Sequence, residues 1–328
     1  MIMVSVSFLL GLILCLLFGI PYIEFLKKKT IGQYIREGAP EAHAQKAGTP
    51  TTGGVFIIGA ALLASVTALF MAEKFTDAAW IVLITFLFYA LAGFQDDFLK
   101  IKGQENKGLS ARGKFFRQVV IALLPIFYAI QMYGAFGTQI TFGGYVVNLG
   151  WWYIPLAVIA ISGASNAFNL TDGLDGLAAS TGVPVFVACS AIAMLSNYDY
   201  IAIISAAVAG ALLGFLKFNS AKAQVFMGDT GSLAIGGILG TLAIMGKFEI
   251  YLILLAGIFV IECLSVIIQV TSFKLTKKRV FKMAPIHHHF ELCGFTEKQI
   301  VKGFTIISCL FSILAVVLFE LFNKGVIS

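Results

Sequence analysis

Long apolar stretches recur along the whole chain, and they constrain its fold more than any other feature. A helix needs about 20 consecutive apolar residues to cross a lipid bilayer. Stretches of this kind lie roughly at residues 3–26, 53–72, 78–95, 115–133, 151–168, 177–196, 199–217, 232–246, 250–270 and 302–323. The sequence therefore predicts an all-α polytopic membrane protein with about ten transmembrane helices.

The composition agrees with this prediction. Hydrophobic residues make up 59% of the 328 residues and charged residues 12%, which is about half the charged share of a soluble domain. No segment of 50 or more residues remains between the apolar stretches. We therefore expect one integral membrane domain over residues 1–328, with the lipid bilayer as a partner.

Charge in the loops predicts the orientation of the chain. The loops at 27–52, 96–114 and 271–301 are basic, and all but three of the 23 Lys and Arg residues fall on the face that carries them. Cytoplasmic loops of membrane proteins carry an excess of Lys and Arg. This face is therefore predicted to be cytoplasmic, with both termini outside. The sequence has no basic stripe with interleaved aromatic residues, so it does not predict a nucleic-acid partner.

One loop on the predicted outer face has the pattern of a turn between two strands. The segment TQITFGGYVVNL, residues 138–149, alternates apolar and polar residues around Gly143 and Gly144. Such alternation around a Gly-Gly pair predicts a small outer β-hairpin. We expect this hairpin to be a structured connector, with no chemical role.

Acidic and histidine residues cluster on the opposite, predicted cytoplasmic, face. The chain has only 17 acids and four histidines, yet five aspartates and three histidines fall in four short segments. The segments are GFQDDFLK with Asp96 and Asp97, NAFNLTDGLDGL with Asp172 and Asp175, VFMGDTGS with Asp229, and APIHHHFE with His287, His288 and His289. A membrane protein that gathers carboxylates and imidazoles on one surface is predicted to perform chemistry there.

The first cluster ends the third apolar stretch. Asp96 and Asp97 are adjacent, so on a helix they point about 100° apart and need not face the same ligand. A carboxylate beside another suits a proton acceptor, and Lys100 is close enough in sequence to pair with either acid. The alternative is a solvated helix end without function.

The second cluster follows the fifth apolar stretch. Asn166, Asn169, Asp172 and Asp175 recur every three residues, a spacing that stacks polar groups on one side of a tight helical turn. The glycines beside the acids leave room for a ligand. The alternative is a Gly-rich turn with helix-capping aspartates.

The third cluster opens the eighth stretch. Asp229 or Ser232 could be a simple N-cap. The free N–H groups and dipole of the helix start also suit a phosphate, and an acid among them suits a magnesium ion that bridges to it. Phe226, judged from its position alone, is better explained as a lipid- or core-facing residue.

Three further features add candidate residues. The three histidines lack a thiolate or HExxH partner for zinc, so donors to phosphate or a proton relay fit better. The segment KAGTPTTGG with Lys46 could hold phosphate, although a flexible loop before a helix is favoured. Glu262 lies well inside the ninth stretch, where an acid is a functional candidate by default, but the sequence assigns it no role.

Together these motifs resemble the phospho-N-acetylmuramoyl-pentapeptide transferases of bacteria, in the polyprenyl-phosphate N-acetylhexosamine-1-phosphate transferase superfamily. The resemblance covers essentially the whole chain and rests on KAGTPTTGG, GFQDDFLK, NAFNLTDGLDGLA, VFMGDTGSLA and MAPIHHHFE. It implies transfer of phospho-MurNAc-pentapeptide from UDP-MurNAc-pentapeptide to undecaprenyl phosphate, which gives lipid I and UMP in peptidoglycan synthesis. It also implies Mg²⁺ as cofactor and a site on the cytoplasmic face of the bacterial inner membrane. A homodimer is left open.

The resemblance also implies roles for individual residues. The essential acids would be Asp96, Asp97 and Asp229, and the histidine block around the phosphates would be His287, His288 and His289. The metal site would be Asp229 with Asn169. The uridine pocket would be Gly173, Leu174, Asp175, Asn219 and Phe226, and the neighbouring polar pocket Lys46, Thr51, Asn166 and Asp172. The family often has a lysine shortly after GLS, and Arg112, Gly113 and Lys114 stand there in this chain.

Two other functions compete with this interpretation. A secondary transporter would also hold acids in its spans, but transporters place them near the membrane midplane within repeated halves. A transferase that uses UDP-GlcNAc is disfavoured by MAPIHHHFE. Within the transferase mechanism, a direct route and a route through an aspartyl-phosphate intermediate both stay open.

Overall fold

The computed structural model describes residues 1–29, 48–103, 108–143 and 145–323, and this part of the chain is mainly helical. The elements are α1 (Ile2–Lys28), α2 (Gly54–Met71), α3 (Asp77–Gly103), α4 (Ala111–Tyr133), β1 (Gln139–Phe142), β2 (Tyr145–Asn148), α5 (Tyr153–Thr171), α6 (Leu177–Leu195), α7 (Asp199–Asn219), α8 (Gly228–Met245), α9 (Glu249–Leu255), α10 (Gly257–Thr276), α11 (Ile286–Leu292) and α12 (Glu297–Asn323). Within the described ranges, ten helices are long and apolar enough to cross a membrane, which confirms the predicted number.

The predicted hairpin is confirmed. β1 and β2 pair in antiparallel fashion, with Gln139 opposite Asn148 and Phe142 opposite Tyr145. The hairpin connects the end of α4 to the start of α5, and the Phe142 ring packs 5.4 Å from that of Phe322 in α12. The placement of the hairpin and of both termini outside the cell stays a prediction.

The ninth span differs from the predicted continuous stretch at 250–270. The chain forms the short helix α9, breaks at Ala256 (φ −86°, ψ 13°), and continues as the spanning helix α10. A side chain at Gly257 would lie 2.8 Å from the Phe311 ring of α12, so the chain passes close to its neighbour at the break. The run contains no proline, so the sequence alone did not indicate this break.

Two helix ends also differ from the prediction, and both matter for the site. The third helix continues to Gly103 and the eighth begins at Gly228, four residues before the predicted start. Asp96, Asp97 and Asp229 therefore lie on regular helix, and the helix fixes the direction of each side chain.

Two helices, α7 and α8, form the buried centre of the bundle. Most of each is enclosed; α1, α2 and α6 pack on α7, whereas α3 and α5 pack on α8. Small residues allow the backbones to approach closely, as is common between membrane helices. At Gly210 of α7, an added methyl group would overlap the Phe8 carbonyl oxygen of α1 and lie 3.0 Å from the Leu12 nitrogen.

A buried ion pair holds the end of the bundle that carries the hairpin. Lys247, in the turn between α8 and α9, lies 2.9 Å from the carboxylate of Glu249 and 3.0 Å from the Tyr153 hydroxyl. Burial lowers the pKa of Lys247, and the nearby Glu249 carboxylate partly offsets that effect. These contacts join α5 to the α8–α9 turn.

The close packing at Gly210 predicts a specific loss of stability. Gly210→Ala should destabilise the detergent-solubilised protein by about 1–3 kcal/mol, the usual cost of overpacking, and lower its melting temperature. Gly59→Ala in α2 is the matched control, because nothing lies within 4 Å of that position and alanine favours helix by about 1 kcal/mol. Equal melting temperatures for the two variants would contradict close packing between α1 and α7.

Candidate active site

A carboxylate from α3 binds the start of α8. Asp97 Oδ1 accepts a hydrogen bond from the backbone nitrogen of Asp229 at 3.0 Å. Its Oδ2 accepts from the backbone nitrogen and the hydroxyl of Thr230, at 2.8 and 2.6 Å. The first N–H groups of a helix have no partner within the helix, and they lie at the positive end of its dipole. A carboxylate placed there accepts hydrogen bonds from these donors and also offsets the positive charge. The cap of α8 therefore comes from another helix, and neither Asp229 nor Ser232 supplies it.

The backbone around this contact is shaped by two glycines. At Gly93 of α3, an added methyl group would overlap the carbonyl oxygen of Asp229, so only glycine allows α3 to lie this close to α8. Gly228, the first residue of α8, has φ of +72°, in the left-handed region that favours glycine. Both glycines position Asp229 against α3.

Two lysines bridge the acids of α3 and α8. Lys100 Nζ lies 2.7 Å from Asp96 Oδ2 and 2.8 Å from Asp229 Oδ2, and Lys114 Nζ of α4 lies 2.7 Å from the same Asp229 oxygen. The other oxygen of Asp96 accepts a hydrogen bond from the backbone nitrogen of Leu109 at 2.7 Å. The predicted pairing of Lys100 with one of the two acids is confirmed, and Lys114 is the residue of the GLS segment that reaches the cluster.

Two asparagines of α5 contact the cluster and its surroundings. The Asn169 side-chain nitrogen donates to Asp229 Oδ1 at 2.8 Å and to Ser232 Oγ at 2.7 Å. Asn166 lies one helical turn earlier and exchanges hydrogen bonds with the buried Gln118 of α4. Asn169 therefore orients Asp229, while Asn166 joins α5 to α4.

The two acids that follow these asparagines do not continue the stack that their spacing predicts. The α-helix ends at Thr171, and Asp172 caps it. Asp175 turns away, and its Oδ2 accepts from the backbone nitrogen of Ala223 at 3.0 Å. Burial, together with the carboxylates of Asp229, Asp97 and Asp175, raises the pKa of Asp172 well above its usual range, which favours the protonated acid.

The turn at 172–176 is connected to the loop before α8 by a buried amide. Asn219 Oδ1 accepts from the Gly176 backbone nitrogen at 3.0 Å, and its Nδ2 donates to the Val225 carbonyl at 2.9 Å. Leu174 is buried in the same turn. Asn219 thus holds together the two loops that carry the predicted uridine pocket.

The loop before α2 lies against the same segment. The Phe226 nitrogen donates to the Pro50 carbonyl and the Gly53 nitrogen donates to the Phe226 carbonyl, both at 2.8 Å. Thr51 is buried here, with its hydroxyl beside Gly228. The Phe226 ring is half-buried. Lys46 lies outside the described residues, so its predicted role stays a prediction.

The three histidines have three different surroundings. His287 is fully buried, with Nδ1 3.0 Å from Glu262 Oε1. His288 Nδ1 lies 2.6 Å from Glu291 Oε2. His289 Nδ1 accepts from the Lys282 backbone nitrogen at 3.1 Å. The three rings therefore contact different partners, and His287 is the one directed toward the interior.

The acids provide an incomplete cation site. Among the described residues, no group of three or more His, Cys, Asp and Glu side chains could hold a metal ion. Asp229 nevertheless presents its Oδ2 to the ammonium groups of Lys100 and Lys114, and the predicted second ligand, Asn169, lies beside its Oδ1. Mg²⁺ in phosphate-transfer sites commonly uses one or two carboxylates together with substrate phosphates and water. This donor set therefore fits Mg²⁺ when a phosphorylated substrate supplies the remaining oxygens.

Several residues of the site were not found from the sequence as site residues. Gln118 is a lone amide in an apolar stretch, Thr230 supplies two of the donors to Asp97, and Ser232 accepts from Asn169. Glu262 was noted only as an acid within a span. Each of these polar residues stands out within an apolar helix, but the sequence alone does not show which residue it contacts.

Comparisons with known proteins find relatives that share one name. Residues 79–247 match the family model for glycosyl transferase family 4. The chain is 45% identical over 314 residues to the phospho-N-acetylmuramoyl-pentapeptide-transferase of Halalkalibacterium halodurans, covering 95% of this chain and 96% of the relative. It is 46% identical over 316 residues to the Bacillus subtilis protein of the same name, covering 94% and 96%. A protein of that name from Oceanobacillus iheyensis is 46% identical over 323 residues, 96% of each chain.

The geometry predicts different defects for the two acids of α3. Asp97→Asn places an amide nitrogen where a carboxylate oxygen now accepts from the N–H groups of Asp229 and Thr230. The variant should therefore lose about 0.5–2 kcal/mol or more of stability, the typical cost of a lost helix cap. Asp96→Asn should keep the bond to Leu109 and lower the melting temperature much less. Thermal unfolding in detergent compares the two, with Asp77→Asn at the exposed start of α3 as control. A larger loss for Asp96→Asn would contradict this assignment.

Proposed function

The chain belongs to the phospho-N-acetylmuramoyl-pentapeptide transferases of bacteria, and from this membership we propose the reaction performed at its acidic cluster. The cluster would transfer phospho-MurNAc-pentapeptide from UDP-MurNAc-pentapeptide to undecaprenyl phosphate, giving lipid I and UMP. The observation that carries the proposal is the convergence of Asp96, Asp229, Lys100 and Lys114. Carboxylates and ammonium groups lie there at the ends of membrane-long helices, where a nucleotide and a lipid can both arrive.

The proposed reaction is a displacement at phosphorus. An oxygen of the lipid phosphate attacks the phosphorus atom that carries the sugar, and the bond from this atom to the oxygen bridging to UMP breaks. UMP leaves with that bridging oxygen, and lipid I keeps the new pyrophosphate bond. Such transfers depend mainly on positioning and on neutralising charge. Lys100 and Lys114 supply positive charge beside the reacting phosphates.

We propose Asp96, in preference to Asp97, as the base that removes the proton of the lipid phosphate. Both oxygens of Asp97 accept hydrogen bonds from the fixed start of α8. Oδ2 of Asp96 instead contacts the ammonium groups of two lysines, which we expect to turn to the substrate phosphates. A general base typically contributes 10²–10⁴-fold to a rate. Asp96 would orient the lipid phosphate and take its proton. The direct route is favoured because a deprotonated lipid phosphate is itself a competent nucleophile.

We propose that Asp229 would hold magnesium, with Asn169 as a second ligand through its side-chain oxygen. The bound ion would neutralise charge that develops on the phosphates. Asp229 Oδ2 contacts both Lys100 and Lys114, so these ammonium groups occupy the same region as the ion. We expect them to move onto the substrate phosphates when the site is loaded.

The nucleotide is proposed to bind beside this cluster, where two loops meet. Gly173, Leu174 and Asp175 form one side, and Phe226 lies on the other, connected to them through Asn219. A half-buried phenylalanine at this point suits stacking on uracil, worth roughly 1–3 kcal/mol for comparable base–aromatic contacts. Thr51, Asn166 and Asp172 line the adjoining polar region.

An apolar groove between α3 and α4 suits the lipid acceptor. The groove measures about 310 Å³ and is lined by apolar residues such as Phe88, Leu91 and Val120, with Gln95 and Arg117 as its polar exceptions. Gln95 precedes Asp96 in the chain, and Arg117 follows Lys114 by one helical turn. We propose that part of the isoprenoid chain lies in this groove while its phosphate reaches the cluster.

The geometry is less suited to a transporter. The acids of the cluster lie toward the ends of α3 and α5 and at the start of α8, away from the helix centres where transporters place such groups. Glu262, which is buried in α10, is the exception. Proton-coupled uptake into vesicles would support the transporter. The competing transferase reaction with UDP-GlcNAc is distinguished by substrate choice.

A release assay tests the proposal. Purified protein with Mg²⁺, UDP-MurNAc-pentapeptide and undecaprenyl phosphate should release UMP, and UDP-GlcNAc should not replace the sugar donor. Asp229→Asn should lower the rate by at least roughly 10²-fold, the scale of losing one key transition-state contact. Asp199→Asn, an exposed acid paired with Lys74, is the matched control and should keep full activity. Full turnover by Asp229→Asn at saturating Mg²⁺ would contradict the metal assignment.

The proposed cytoplasmic location of the site has a separate test. Of the five cysteines, all within the described residues, only Cys293 is exposed, in the loop that follows the histidines. A membrane-impermeant maleimide should label it in inverted inner-membrane vesicles and leave it unlabelled in intact spheroplasts. Cys293→Ser should abolish the signal in both preparations. Labelling of spheroplasts would reverse the proposed orientation.

A further inference from the structure

The buried pair of Glu262 and His287 joins two elements beside the proposed substrate pocket. Glu262 lies in α10 and His287 in α11, and both residues are completely buried. Glu262 Oε1 is 3.0 Å from His287 Nδ1. No other ionic partner of Glu262 is found among the described residues. A carboxylate buried in this way is costly unless a nearby positive charge compensates it.

Both residues also leave one polar atom without a partner. Within the described part of the chain, five buried side-chain atoms lack a hydrogen bond, and two of them are Glu262 Oε2 and His287 Nε2. A buried polar group without a hydrogen bond lowers stability, so two such atoms on one contacting pair do not serve stability. Groups of this kind are commonly explained by a ligand or a catalytic role.

The unpartnered nitrogen of His287 faces the proposed nucleotide pocket. A methyl group added at Gly173 would overlap His287 Nε2, so the imidazole edge lies directly on this residue. Gly173 stands between Asp172 and Asp175, in the turn proposed to bind the sugar nucleotide. Nε2 therefore lies against the turn proposed to line the pocket, while Nδ1 is held from behind by Glu262.

We propose that Glu262 is a positioning residue for the transfer reaction and acts only through His287. Its carboxylate accepts the Nδ1–H bond and holds the ring so that an Nε2–H group donates to a phosphoryl oxygen of the bound sugar nucleotide. Carboxylate–histidine pairs orient the ring and fix which nitrogen faces the substrate. This inference rests on the proposed transferase function, and it gives the acid inside the ninth span a role.

Rates of UMP release test the pair, because they separate turnover from binding. Glu262→Gln keeps the shape and an oxygen that accepts the Nδ1–H bond but removes the charge, so kcat should fall by roughly 10- to 100-fold, the usual effect of losing such a partner. KM for UDP-MurNAc-pentapeptide should change little. Glu262→Asp should recover part of the loss. Ser312→Ala, which removes another buried hydroxyl without a partner, should keep the wild-type rate.

A double-variant cycle distinguishes positioning from a general structural role. If Glu262 acts through His287, adding Glu262→Gln to His287→Ala should cause no further loss of kcat, because coupled residues are not additive. Multiplied losses, or a Glu262→Gln enzyme with wild-type kcat, would overturn the inference. Absence of UMP release by the wild-type protein would instead overturn the transferase proposal and with it the role of His287.

Discussion

The hydrogen bonds from Asp97 to the start of α8 hold the candidate site together. They connect α3 to α8, the most buried helix of the bundle, and they fix the turn that presents Asp229. Both oxygens of Asp97 are used, and close contact at Gly93 brings the two backbones within reach. In a low-dielectric interior such charge-assisted bonds are stronger than in water, and leaving their donors unpaired is costly. The geometry of the other acids depends on this contact.

Charge balance explains how three carboxylates can lie so close together. Asp96, Asp97 and Asp229 are offset by Lys100, Lys114 and the positive end of α8. At about 4 Å and an effective dielectric constant near 20, one such pair is worth about 4 kcal/mol before desolvation. The two lysines hold the acids in place without substrate and are close enough to meet phosphates when one arrives. The same cations can therefore serve the resting site and the loaded site.

The proposed nucleotide pocket is assembled from loops that are distant in the sequence. Backbone hydrogen bonds join the loop before α2 to the segment around Phe226, and Asn219 joins that segment to the turn after α5. On the far side of this turn, Gly173 touches His287, which is itself held by Glu262. The helix ends around this pocket are thus held in place by contacts with neighbouring loops as well as by the packing of the helices themselves. A nucleotide placed there would contact parts of four elements at once.

The sequence by itself determined the ten spans, the hairpin and the segments that hold the candidate site residues. Spans follow from length and apolarity, which are local properties, and scarce acids in an apolar chain mark a site by composition alone. Only the tertiary structure decided that Asp97 caps α8, that Lys114 reaches Asp229, and that Glu262 holds His287. These contacts join residues that are 25 to 133 positions apart, and no repeating pattern in the sequence predicts them. Helix packing brings such side chains together, so their roles became visible only once the helices were placed.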